Sequence, residues 1–102
     1  MSKIAVRMNK GFHVEFDNGL TFSVQFGSGN YCDNRNEEFT TDGYKMSSNA
    51  EIAVWDKEGN FCKLSEYDDV AGYIPVDDVF DHIQNVRKMP SGTNGNNWNY
   101  KA

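Results

Sequence analysis

The stretch Gly27-Ser28-Gly29-Asn30-Tyr31, with Arg35 close behind, has the residue types for holding a small anionic ligand. Two glycines let backbone N–H groups approach an anion closely. Tyr31 can stack on a flat ring, and the planar guanidinium of Arg35 can pair a phosphate through its fork. The same letters also suit a flexible connection in which the glycines only relax the backbone. A Walker loop is excluded, because its Lys-Ser/Thr pair is missing and no helix is expected directly behind. The expected ligand-binding residues are therefore Gly27, Ser28, Gly29, Asn30, Tyr31 and Arg35.

Other reactive side chains carry less. Glu66, Asp68, Asp69, Asp77, Asp78 and Asp81 would suit a divalent ion or a basic partner surface. No Asp-x-Asp-x-Asp-Gly series closed by Glu is present, so a helix entry plus a solvated face is the simpler reading. Cys32 could meet His13 in space as a Cys/His pair, yet no third group or nucleophile signature accompanies them. A non-enzymatic role is expected. His13, His82, Cys32 and Cys62 lack zinc-ligand spacing, so neither a metal nor a cofactor is expected. Without an export signal the two cysteines are expected as reduced thiols, a Cys32–Cys62 disulfide being the alternative.

Composition narrows the classes further. The 102 residues hold Lys+Arg 10 against Asp+Glu 15, a net charge of −5, with pI ≈ 4.8 and mean hydropathy −0.70. A basic nucleic-acid binder working by phosphate neutralisation is excluded. The overall field also works against an anionic ligand. No apolar run approaches the length of a bilayer span, and residues 1–8 lack the h-region of a signal peptide. Seven Phe, five Tyr and two Trp supply the bulk of one small core. Tyr31, Phe39, Tyr44, Trp55, Phe61, Tyr67, Tyr73, Trp98 and Tyr100 exceed what that core needs, which predicts an interface, most commonly with a second copy.

Elements must position these groups. Phe12, Val14 and Phe16 alternate with polar residues, as do Leu20, Phe22, Val24 and Phe26. A two-residue Asn-Gly loop would put the two apolar rows on opposite faces. The three-residue loop Asp17-Asn18-Gly19 pairs Phe16 with Leu20, Val14 with Phe22 and Phe12 with Val24, with Gly19 at the left-handed position. The same device predicts a second hairpin, 50–56 with 60–64, around Lys57-Glu58-Gly59. It sets Trp55 opposite Phe61, Val54 opposite Cys62 and Ile52 opposite Leu64. Val76, Val79, Phe80, Ile83 and Val86 follow helical spacing, with Pro75 at the first helical position and Pro90 and Gly92 closing the helix. Ile4, Val6 and Met8 add an edge strand. Residues 27–49 form a loop unusually long for so small a domain, a length that is usually functional or disordered. The expected fold is α+β: an antiparallel sheet built from two β-hairpins, with one C-terminal amphipathic helix packed on one face. Residues 1–89 form the domain, and 90–102 form a loose Asn/Gly-rich tail.

The residues Phe22 to Arg35, Ala50 to Asn60 and Gly72-Tyr73 before the helix resemble small uncharacterised bacteriophage proteins, over roughly positions 8 to 88. The resemblance implies an accessory product made in the cytoplasm of a bacterial host, but no catalytic residue. It further implies counter-defence, by sequestering a nucleotide signal or by blocking a host protein. Capture of a small anionic ligand by the 27–35 loop is the leading expectation. The alternative is an inhibitor that uses acidic and aromatic surface against a host defence or nucleic-acid-binding protein.

Overall fold

Alternating side chains set the strands, and burying one row of each sets their order. The computed structural model describes residues 2–6, 10–27, 29–36 and 46–102. In chain order it has β1 (Lys3–Val6), β2 (Gly11–Glu15), β3 (Thr21–Gln25), β4 (Asn49–Trp55), β5 (Val70–Pro75) and α1 (Val76–Arg87). The strands form one antiparallel sheet in the order β1-β2-β3-β4-β5. With α1 across one face, the α+β architecture is as expected.

The first hairpin has the register its apolar rows demand. Phe12 stands opposite Val24 and Val14 opposite Phe22, while Phe16 N–H donates to Leu20 O at 2.9 Å. Gly19 closes the turn at φ 96°, where a Cβ would be strained. Phe22, Leu20, Ile52 and Val54 are buried on the helix side, together with Val79 and Val86 of α1. β1 is the outer strand, with Ile4 opposite Val14 and Val6 opposite Phe12. Met8, Phe39 and Tyr44 lie outside the described residues.

The second hairpin departs from expectation after one pair. Its turn forms, with Asp56 N–H donating to Asn60 O at 2.9 Å and Cys62 N–H to Val54 O at 2.8 Å. Trp55 bridges Phe61 as predicted, but residues 60–64 do not continue as a strand and Ile52 does not pair with Leu64. Instead Cys62 and Leu64 drop into the core. The chain then turns, with Leu64 N–H on Asp68 O, and returns as β5, which sets Val70 against Ala53 and Ala71 against Ile52. Burying two apolar side chains outweighs a few ladder bonds at the sheet edge.

Two further expectations are corrected. In α1 Val79 and Val86 are buried and Ile83 packs partly buried against the core, as the stripe predicts, whereas Val76 and Phe80 are exposed. Pro75 stands one position before the helix rather than inside it. Residues 90–102, expected as a loose tail, are laced onto the domain. Trp98 Nε1 donates to Lys63 O at 2.7 Å, Gly95 N–H to Asp56 Oδ2 at 3.0 Å and Ala102 N–H to Leu64 O at 2.9 Å. The Tyr100 hydroxyl meets His82 and Asn85 of α1.

Candidate functional site

The segment behind β3 folds into a small arch held from inside. Cys32 and Asn34 are buried, and Gly29, Tyr31, Asp33 and Arg35 alternate outward. Gly27 N–H donates to Asn34 Oδ1 at 2.7 Å, and Cys32 Sγ lies 3.1 Å from the same oxygen. Gly29 N–H donates to Arg35 O at 3.1 Å and Asn30 N–H to Gly27 O at 3.2 Å. The amides of Gly27 and Gly29, expected to meet an anion, are thus engaged by the arch itself. Ser28 lies outside the described residues.

The arch is tied to β4 and β5 by hydrogen bonds. Tyr31 N–H donates to Glu51 Oε2 at 3.1 Å, and Asp33 N–H to Asn49 Oδ1 at 2.8 Å. Tyr73 N–H in turn donates to Tyr31 O at 2.8 Å. The Ser48 hydroxyl, then the Asn49 side chain, hold the Asp33 carboxyl below its ordinary value. β5 allows this close approach through Gly72, where an added Cβ would stand 2.5 Å from the Tyr31 Cβ. The Arg35 guanidinium lies 4.9 Å over the Tyr31 ring, a cation–π contact at the surface.

Between the arch and the second turn runs an open trough of about 450 Å³. Its floor is Ser23 and Ala53, opposite each other on β3 and β4. Asn30, Gln25 and Glu51 line it from the arch side. The other side is an aromatic ridge: His13 meets Trp55 edge-on at 4.8 Å, and Trp55 stacks on Phe61 at 5.4 Å. Glu51 is its one carboxylate, and no Lys or Arg lines it among the described residues. Such a lining accepts hydrogen bonds from N–H or O–H groups of a ring and gives its apolar edge the ridge to rest on. The arch itself offers a cation to an anion at Arg35.

Asn30 therefore enters the trough, Tyr31 and Arg35 stand exposed on the arch outside its lining, and Gly27 and Gly29 shape the arch. Sequence reasoning missed Gln25, Ser23 and Glu51. Their polar row was visible as strand alternation, but only the β3–β4 pairing sets Gln25 opposite Glu51. The Cys32 and His13 pair does not form: the Cys32 sulfur is buried and its hydrogen bonds go to Gly27, Asn30 and Asn34. Both cysteines are free thiols. Burial, with Asp56 and Asp69 nearby, pushes the Cys62 thiol up to about 11. No group of three or more His, Cys, Asp or Glu stands ready for a metal among the described residues. Among those residues no helix is long and apolar enough to cross a membrane. No protein-family profile matches the chain, and no curated protein or solved structure matches it.

Proposed function

We propose that this chain is a non-enzymatic binding protein, a phage-type accessory protein of the host cytoplasm, that captures a small ring-bearing ligand such as a signalling nucleotide. The observation that carries this is the trough, whose volume of about 450 Å³ suits a small ligand and whose wall is the arch bearing Tyr31 and Arg35. The ring lies against the Trp55 and Phe61 ridge and donates to Glu51. A phosphate reaches out to the Arg35 guanidinium, which compensates locally for a net charge of −5. A thermal-shift screen of nucleosides, nucleotides and cyclic dinucleotides tests it, because a ligand that binds only the native state raises the melting temperature. Glu51→Gln weakens nucleoside and nucleotide alike, whereas Arg35→Ala weakens only the phosphorylated ligand. Absence of any shift across the screen would sink the proposal.

The second reading, direct block of a basic host protein, is favoured by exposed Tyr31, Tyr67 and Tyr73, with Glu66, Asp68 and Asp69 flanking Tyr67 in the chain and also exposed. It predicts a co-purifying protein released by salt and no nucleotide shift.

A further inference from the structure

Among the described residues, the layer over the sheet is half filled. The axis of α1 lies over β3, β4 and β5 and stops short of β1 and β2. Beside it, Phe12, Val24 and Phe26 form the floor of an apolar trough of about 310 Å³, edged by Val76, Phe80 and Met46 and, among the described residues, lined by no charged one. The floor continues outward through the Val6–Phe12 pair to β1, where Ile4 is 73% and Val6 78% exposed; Phe80, at the helix flank, is 61% exposed. Single exposed apolar residues are ordinary, but a continuous strip of this kind marks an interaction surface.

We infer that a second copy of this chain covers the strip, each protomer laying the apolar side of its β1–β2 pair against the other's, beside the two α1 helices. Geometry selects this occupant. The vacant half is two strands wide, about 10 Å, and a second sheet stacks at about the same 10 Å spacing that a helix fills. The β1–β2 pair has that width, and among the described residues it is the part of the sheet that α1 does not cover. One two-fold contact therefore meets the same deficit in both protomers, which is what an isologous interface requires. Ile4, Val6, Met46, Val76 and Phe80 together show on the order of 600 Å² per copy, near the ~800 Å² each partner gives a standard interface. The open trough on the opposite face stays free, so the inference does not depend on the proposed ligand.

Charge separates this occupant from a basic host protein. Each protomer carries −5 and the described residues of the strip carry no charge, so salt screens repulsion and strengthens apolar burial. Sedimentation equilibrium of the full chain up to about 200 µM should show a reversible dimer, tightening between about 50 and 500 mM salt. Val6→Lys and Phe80→Lys should each weaken it at least tenfold, while dilute samples keep the wild-type circular dichroism and melting temperature. Tyr67→Lys, an exposed aromatic outside the strip, should leave it intact. A monomer throughout that range, a dimer loosened by salt, or one that survives both Val6→Lys and Phe80→Lys overturns the inference.

Discussion

Asp56 shows how one buried side chain joins three parts of the chain. Its Oδ1 accepts from Glu58 N–H at 3.0 Å and Asn60 N–H at 2.8 Å, closing the second turn, and its Oδ2 accepts from Gly95 of the tail. The Gly95 amide, helped by Asn60 and Glu58, holds the carboxyl below its ordinary 3.8 against the opposing effect of burial. A depressed folded value means the stabilisation is fully present above 3.8 and is lost as pH falls through the lower, folded value. Asp56→Asn keeps an acceptor but no charge. The melting-temperature gap between wild type and this variant should be constant from about pH 7 to 5 and close below about pH 4. A gap that persists to strongly acid pH would show that charge is not its source. From sequence Asp56 was only a strand end before a turn, because Gly95 is distant along the chain.

At the scale of elements, Asn18 links the first turn to the end of the helix. Its Nδ2 donates to Val86 O and to Met89 O, both at 3.0 Å, and its Oδ1 accepts from Leu20 N–H at 3.0 Å. Carbonyls at a helix C-terminus have no partner within the helix, so this amide supplies what the last turn lacks. It also fixes the rotation of α1, which puts Val79 and Val86 inward and leaves Phe80 at the flank. Asn18→Ala should cost about 1–2 kcal/mol in urea unfolding, more than an ordinary exposed turn residue. A change under about 0.5 kcal/mol would mean the three bonds contribute little. The turn was legible from Asp17-Asn18-Gly19; its second role was not, since hairpin spacing says nothing of what lies above it. The helix was legible too, but its rotation was not: the five-residue stripe is wider than the two positions that become fully buried.

For the whole molecule, the tail decides where the domain ends. Trp98 packs against Tyr100 at 5.9 Å, both partly buried on the core. A chain ending at Met89 loses those rings and leaves the Lys63 and Leu64 carbonyls without their donors. It should melt more than about 5 °C lower than the full chain, a difference equivalent to about 1 kcal/mol in a domain this size. Equal melting temperatures would restore residues 1–89 as the complete folding unit. Asn and Gly content reads as looseness because neither residue type announces burial, whereas the tail is fastened by the Trp98 and Tyr100 side chains and by the backbone amides of Gly95 and Ala102.

What the sequence determined by itself was local: two turns, the Phe12–Val24 and Val14–Phe22 register, and one helix. Each follows from periodicity or from a glycine in a turn, and neither needs a distant partner. Tertiary structure decided the rest. β5 displaced the expected strand at 60–64 because the core had room for Cys62 and Leu64. The arch amides turned inward because Asn34 and Glu51 were there to accept them. The trough exists only because β3 and β4 pair across a long excursion of the chain. Such contacts depend on which groups compete for the same space, and that competition is settled in three dimensions.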